Sequence, residues 1–322
     1  MKNLLAVLAQ PAAGLLIPGK LLWPYLAGAV VLVIGLAWMI RGEAREARGI
    51  DRAIALGPLF LAMPMAVFGG DHFAFPATVA AIVPSWIPGH MFWVHFVGTA
   101  NIAAALSITT KRYSVLAATL LSAMLFSFVL LIHAPNFVKY PRDRINFTVL
   151  LRDLSFSAGA LSYAVVQAAE WSKRHVNRIT TLLRCVFAVP AIVFGIEHFL
   201  HPQLVPVVPL RLLLPSWIPA HLPLNYLTGT VLIAAGLCVL SNWKARQTAA
   251  WLGVFIFAIV LLVYLPIMLA NLSDIGNGLN YFADTLAYAG AALLVAGALP
   301  AEHCAEAALE SGERAVAGAG PL

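Results

Sequence analysis

Two sets of polar residues stand inside or beside long apolar stretches of this sequence, and both sets consist of residue types that move protons. The predicted catalytic residues are His72, His90 and Asp153, with their counterparts His198, His221 and Asp284. Histidine changes its charge near neutral pH, and a carboxylate inside a membrane is costly unless it has a partner. Histidines and aspartates in this arrangement are suited to general acid–base chemistry.

Eight further residues accompany these six and are the predicted binding residues. Asp71 and Glu197 each precede a histidine in the chain and are suited to fixing its tautomer or its charge. The others are Trp86, Trp217, His133, Tyr264, Asn146 and Asn277. We expect the aspartates to pair with the histidines of the same repeat, with Arg152 as an alternative partner in the first repeat only, and the asparagines to add hydrogen bonds.

The elements that position these residues are repeated along the chain. Pro84–Pro88 reads PSWIP and returns as Pro215–Pro219, and each copy is followed by one residue and then a histidine. Residues 84–106 and 215–237 match at 12 of 23 positions without a gap. A register held over this distance predicts an internal duplication. By itself PSWIP is typical of a rigid turn, because proline excludes helix and tryptophan favours membrane interfaces.

Composition places the chain in a membrane. Of its 322 residues, 61% are hydrophobic and 11% charged, and the mean hydropathy is +0.87. Soluble domains carry about 25% charged residues, so a soluble fold is excluded. The net charge of +6 is read as a bias of the loops, since no basic run with interleaved aromatic residues indicates a nucleic-acid partner.

A membrane-spanning helix needs about 20 apolar residues, and nine stretches qualify. The predicted spans are roughly 21–40, 53–71, 91–109, 114–134, 147–169, 179–199, 222–241, 247–267 and 280–299. The last eight form two sets of four that follow the duplication. We therefore expect an all-α integral membrane protein with two parallel four-helix-bundle repeats and one extra N-terminal helix.

The predicted domains follow these spans. They are residues 1–50, holding an interfacial segment at 3–17 and the extra helix; repeats at 51–170 and 176–300; and a tail at 301–322. Counted by loop, 12 basic residues fall on one side of the membrane and six on the other. We expect a bacterial-type inner membrane, and the positive-inside rule predicts that the N-terminus is out, the C-terminus in and the PSWIP segments outside.

Three uses of the polar residues remain open. The first is a structural network that holds the helices in register. The second is a site at the outer face that binds and protonates a quinone or another small redox headgroup. The third is a metal or haem site, since two histidines and a carboxylate suit zinc or iron. Transport ranks last, because the inner halves of the helices show no comparable polar residues.

The sequence resembles the DoxX-like family of small four-helix membrane proteins. The resemblance rests on Asp71-His72-Phe73, Glu197-His198-Phe199, the two PSWIP-x-His segments, Gly98 and Gly229, and covers roughly residues 52–168 and 178–299. It implies a tandem version of that fold. It also implies an accessory or subunit of a quinone-linked redox system, with a respiratory or redox partner. The alternative is a non-catalytic scaffold or a protein that binds a hydrophobic ligand.

Overall fold

The structure is a computed structural model, and it describes residues 19–41, 43–168 and 173–300. In these residues the secondary structure is helical apart from one isolated bridge between Leu204 and Leu213. Nine helices in this part of the chain are long and apolar enough to cross a membrane. They are α1 (Leu22–Arg41), α2 (Gly57–Ala74), α3 (His90–Thr109), α4 (Ser114–Lys139), α5 (Arg144–Gln167), α6 (Lys173–Leu200), α7 (His221–Leu240), α8 (Ala245–Ala270) and α9 (Ile275–Ala298).

The predicted number of spans is confirmed among the described residues, and some bounds differ by a few positions. For example, α5 and α9 start three and five residues before the predicted spans because an aspartate caps each of them. Asp143 accepts a hydrogen bond from the backbone N–H of Ile145 at 2.9 Å, and Asp274 accepts one from Asn277 at 3.0 Å. The predicted interfacial segment 3–17 and the tail 301–322 lie outside the described residues.

Two parts of the chain follow the same plan, and we call residues 57–167 the first half and residues 173–298 the second half. Helices α3 and α7 have the same bounds after a shift of 131 residues, and so do α4 and α8, and α5 and α9. The left-handed residues in the turns keep the same shift, as at Lys111 and Asn242. Backbone conformation thus follows the register seen in the sequence.

A widened turn interrupts α4 and α8 at the same place. The turns Val129–His133 and Val260–Tyr264 are π-helical, and Pro135 and Pro266 follow them two residues later. Proline has no N–H and collides with the carbonyl four residues earlier, so a helix that continues through it must widen or bend. The widened turn sets the direction of its last residue, which is His133 in the first half and Tyr264 in the second.

Both PSWIP segments lie at one end of the bundle, which we call the PSWIP end. The helices preceding them, α2 and α6, run toward this end, and α3 and α7 run away from it. Arg144, the first residue of α5, donates hydrogen bonds to the carbonyls of Pro209 and Leu210 in the second half, which joins the two halves there. The opposite end carries the turns at 110–113 and 241–244.

The two halves are interlocked and do not form separate bundles. In each half the first helix packs on the second, and the fourth packs on the third. The remaining large contacts cross between the halves: α9 packs on α2, α5 packs on α6, and α5 packs on α9 in the centre. Helix α1 lies against α2. The predicted boundary between the two repeats therefore separates them in sequence, but helices of both repeats pack in one core.

Two equivalent glycines allow these crossing contacts. A Cβ added at Gly159 of α5 would lie 2.7 Å from the Cα of Ala291 on α9. A Cβ added at Gly290 of α9 would lie 2.7 Å from the backbone nitrogen of Leu61 on α2. Small residues at such positions let helix backbones approach closely, as in membrane proteins. The core consequently lies along α2, α5 and α9, which are the most buried of the nine helices.

The outer helices carry large apolar side chains on their exposed faces. Val33 of α1, Leu116 and Leu120 of α4, and Leu262 of α8 are all exposed. Soluble monomers rarely present such continuous apolar surface. Together with their length and hydropathy, these helices indicate a multi-pass membrane protein.

Candidate functional site: an arginine-centred acid cluster

The PSWIP segments are tight turns that start the next helix. In each segment the isoleucine N–H donates to the carbonyl of the first proline, at 2.9 Å in one half and 3.0 Å in the other. Gly89 and Ala220 follow with left-handed φ values of 70° and 57°, and α3 and α7 then begin at His90 and His221. The segments therefore fix where the helices begin.

The strongest polar contacts gather around Arg152 on α5. Its Nε donates to Oδ1 of Asp153 at 2.9 Å, and its Nη1 donates to Oδ2 of Asp284 on α9, also at 2.9 Å. The second oxygen of Asp153 lies 2.9 Å from Nε2 of His133, on the widened turn of α4. One arginine thus joins two aspartates that the sequence analysis assigned to separate sites.

Asp71, near the end of α2, extends this group. It lies beside the side-chain amide of Asn280 and within electrostatic range of Asp284, across the contact between α2 and α9. Its Oδ1 is buried and has no hydrogen-bond partner among the described residues, and the same holds for Oδ1 of Asp284. We call Asp71, His133, Arg152, Asp153 and Asp284 the Arg152 cluster.

Access to the Arg152 cluster is uneven. The side chains of His133 and Arg152 are 16% and 19% exposed, whereas those of Asp153 and Asp284 are each 8% exposed. Arg152 also lies over the ring of Phe156, with 5.8 Å between the guanidinium carbon and the ring centroid. The imidazole and the guanidinium therefore form the side of the cluster that reaches the surface.

Acidic groups outnumber basic groups in the Arg152 cluster. The cluster contains three carboxyl groups, one guanidinium and one imidazole, so its net charge is negative even with His133 protonated if all three carboxyl groups are ionised. A net charge buried among apolar helices is costly. The composition of the cluster favours the uptake of a proton or of another positive charge.

Asp153 bonds to His133, a histidine of its own repeat, and to Arg152, whereas the histidines of the first helices bond elsewhere. His72 donates from Nδ1 to the carbonyl of Phe68 at 2.7 Å and lies near His95, whose ring is 5.7 Å from that of Phe73. This hydrogen bond to the preceding turn holds the imidazole of His72 against its own helix. Asp153 instead meets the histidine that the widened turn of α4 directs toward α5.

In the second half His198 is fully buried and bonds to a loop. Its Nε2 accepts the backbone N–H of Val207 at 2.8 Å, and its Nδ1 has no partner among the described residues. Asp284 does not meet it because α9 packs mainly on α2, α5 and α8, and only slightly on α6. His221 likewise has a buried Nε2 without a partner in the described part of the chain.

The loop that holds His198 fills the PSWIP end of the second half. We call residues 201–214 the plug loop. Six of its apolar side chains are buried: Leu204, Val205, Val207, Val208, Leu210 and Leu214. Val207 has a φ of 78°, a strained conformation for a β-branched residue. The surrounding contacts must therefore hold the loop in place.

Polar side chains from four helices bind the plug loop. The hydroxyl of Tyr264 donates to the carbonyl of Pro206, and Asn225 donates to two further loop carbonyls at 2.9 Å. Tyr281 accepts two backbone N–H groups at 2.9 Å, and Arg144 donates to two carbonyls. Three polar residues of the second half and Arg144 of the first half thus satisfy the backbone of a buried loop, as buried backbone groups require.

The first half has a shorter and exposed connection at the same place. The chain from His72 to Pro84 is five residues shorter than the chain from His198 to Pro215. It holds a short helix, Pro76–Ala80, none of whose residues is buried. This connection leaves His133 partly exposed, whereas Tyr264, its counterpart, is fully buried.

The other predicted binding residues lie apart from the Arg152 cluster. Glu197 is 3.5 Å from Arg144 and 3.8 Å from His201. Asn277 donates to Asp274 at 3.0 Å in the start of α9, and Asn146 is half-buried in the first turn of α5. Trp86 is 68% exposed, while Trp217 packs against the core.

Three contributors were absent from the predicted site residues. Arg152 had a sequence signal, since it is a lone arginine inside an apolar span beside Asp153, with Ala283 at the equivalent position. Arg144 and Asn280 gave none, because their partners come from the other half. For the metal and haem hypotheses, the described residues contain no group of three or more His, Cys, Asp or Glu that could hold a metal ion.

Comparison with known proteins identifies one family and no characterised relative. The sequence profile of a family described as a domain of unknown function (DUF8561) matches residues 61–149, from α2 into the start of α5. Neither the curated proteins nor the solved structures contain a match to the chain. The similarity covers 89 of the 322 residues, and the domain it matches has no assigned function.

Proposed function

We propose that this chain is an inner-membrane accessory protein or subunit of a quinone-linked redox system, and that the Arg152 cluster exchanges protons at the PSWIP end. The observation that carries the proposal is the excess of buried carboxyl groups over cations around Arg152, with a histidine at the exposed side. Such a group can hold a proton and pass it through His133.

The residues of the cluster suit the headgroup of a quinone. Reduction of a quinone by electrons from a partner subunit consumes protons at its two carbonyl oxygens. His133 and Arg152 supply N–H donors at the accessible side, and Asp153 behind them stabilises the charged imidazole. Asp71 and Asp284 each offer a buried oxygen without a partner, suited to holding a proton in reserve.

The finer architecture belongs to the same proposal. The chain is a tandem duplication of a four-helix unit of the DoxX-like kind, with both halves in one orientation and α1 added in front. The constant shift of 131 residues in helix bounds supports the duplication. The basic residues of the loops support an N-terminus outside and a C-terminus inside, which places the PSWIP end outside.

Quinone titration of the purified full chain in lipid nanodiscs tests the proposal. A short-chain benzoquinone should quench tryptophan fluorescence saturably. His133→Gln should weaken binding about tenfold by removing a charge-assisted hydrogen bond, and Tyr264→Phe in the other half should leave it unchanged. Absence of saturable quenching, or equal loss in both variants, would overturn the proposal.

A non-catalytic scaffold is the second candidate, and one observation favours it. Arg152 links α5 to α9 and thereby ties the two halves together. If that link is its whole role, His133→Gln and Asp153→Asn should both lower the yield of folded protein. Folded variants without quinone binding would instead support the redox site.

A further inference from the structure

A second site lies at the opposite end of the bundle, far from the Arg152 cluster. A cavity of about 490 Å³ opens there between α1 and the helices behind it. Ligand pockets in proteins occupy about 300–1,000 Å³, so the cavity is large enough to hold part of a small molecule. Trp38 of α1 lines it and is 51% exposed, so the cavity borders the apolar outer surface.

The lining of this cavity changes from apolar to polar along the helix axis. Its apolar wall comes from five helices and includes Gly35, Leu59, Ile108, Val166 and Leu293. Its polar residues are at or near helix ends, and they are Asp51, Thr109, Lys111, Tyr163, Gln167 and Arg246. This gradient matches an amphiphile, with an apolar chain along the wall and a headgroup at the helix ends.

Among its described lining residues, the polar rim has two cationic side chains, one carboxylate and at least one hydroxyl without a hydrogen-bond partner. Arg246 donates hydrogen bonds to the carboxylate of Asp51 at 2.8 Å and to the backbone carbonyls of Ala296 and Leu299, at the end of α9. Lys111 adds a second cation. Thr109 is 7% exposed, and its buried hydroxyl has no hydrogen-bond partner among the described residues. The rim therefore offers donors and positive charge to an anion.

We propose that this cavity binds one anionic phospholipid, with its phosphate at Thr109, Lys111 and Arg246. The beginning of an acyl chain lies between Trp38 and Leu59. This inference is independent of the quinone site, because it involves other residues at the other end of the bundle. A lipid held here stabilises the contact of α1 with the bundle.

Lipid titration of the purified full chain, followed by native mass spectrometry, tests the inference. Phosphatidylglycerol should bind as one tightly held molecule per chain, about tenfold tighter than phosphatidylcholine, because charge-assisted hydrogen bonds to its phosphate add to the net positive rim. Equal binding of the two lipids, or no retained lipid, would overturn the assignment. So would retention of a quinone at this position.

Two variants with matched controls locate the bound lipid. Val166→Trp fills the cavity from a position that is 49% exposed, and Val189→Trp makes the same change at a 45% exposed position outside it. Lys111→Asn copies the left-handed residue of the second half, Asn242, and Lys244→Asn removes an equal charge at a left-handed position outside the cavity. The cavity variants should each weaken binding about tenfold, and the controls should not. Equal effects of a variant and its control would contradict the site.

Discussion

The two halves share their helices and differ in what occupies the PSWIP end. In the second half the plug loop fills that end, and Tyr264 and His198 bind its backbone. In the first half the shorter connection leaves His133 partly exposed, and His133 binds a buried carboxylate instead. The same helix arrangement therefore supports a filled end in one half and the partly exposed Arg152 cluster in the other.

The difference extends to the acidic residues that end the first helices. Glu197 lies near two basic side chains, Arg144 and His201. Asp71 has no cation bonded to it among the described residues, because Arg144 corresponds to Ile275 in the other half. The carboxylate of Glu197 is therefore paired with an arginine that comes from the first half. The first half leaves Asp71 without a paired cation among the described residues.

Removal of Arg152, which joins the two halves, should cause the largest loss of stability. Arg152→Met leaves Asp153 and Asp284 buried without their shared cation, and should cost about 3–5 kcal/mol of stability. Thermal unfolding in detergent, followed by circular dichroism, measures the loss. Adding Asp153→Asn and Asp284→Asn should restore most of it.

Arg142→Met is the control for that experiment, because Arg142 is exposed in the turn before α5. Its effect should stay within about 0.5 kcal/mol. A similar loss for both arginines would show that the Arg152 cluster does not join the halves.

The two PSWIP tryptophans should separate the halves by a smaller amount. Trp217 packs against the core, so Trp217→Ala should cost about 2 kcal/mol, less than a fully buried tryptophan. Trp86 is mostly exposed, so Trp86→Ala should change stability in detergent by less than about 0.5 kcal/mol. Equal losses would mean that the two PSWIP segments pack equally well on their halves.

The hydroxyl of Tyr264 should have the smallest effect of the three. Tyr264→Phe leaves the buried carbonyl of Pro206 without its donor and should cost about 1–2 kcal/mol. Tyr226→Phe is the matched control, since Tyr226 is 40% exposed. Chemical denaturation of the two variants in the same detergent compares them. If the variants lose equal stability, the hydroxyl of Tyr264 does not hold the plug loop.

Sequence reasoning predicted the helices well and the partners poorly. Hydropathy predicts nine spans because each helix must satisfy its own backbone inside a membrane, whatever packs beside it. The repeat predicted equivalent residues, and the structure keeps their shift of 131 positions. Hydropathy contains no information on which half supplies a neighbour, so the contacts of α9 with α2 and of α5 with α6 were not foreseen.

The candidate site shows the same limit at the level of single residues. Asp153 was correctly expected to have a partner inside the bundle, but its pairing with His133 depends on the widened turn after Val129. The five-residue insertion of the second half was visible in the sequence. Its burial was not predictable, since the loop is held by side chains from α5, α7, α8 and α9.

Infrared difference spectroscopy of the full chain can detect a proton that the Arg152 cluster takes up or releases. A pH jump on the wild type should change the carbonyl band of a protonated carboxyl group buried in the Arg152 cluster. That band should disappear in Asp71→Asn and persist in Glu197→Gln, the equivalent change in the second half. Absence of any such band, its persistence in Asp71→Asn, or its loss in Glu197→Gln would contradict a proton-exchanging centre at Asp71 in the first half.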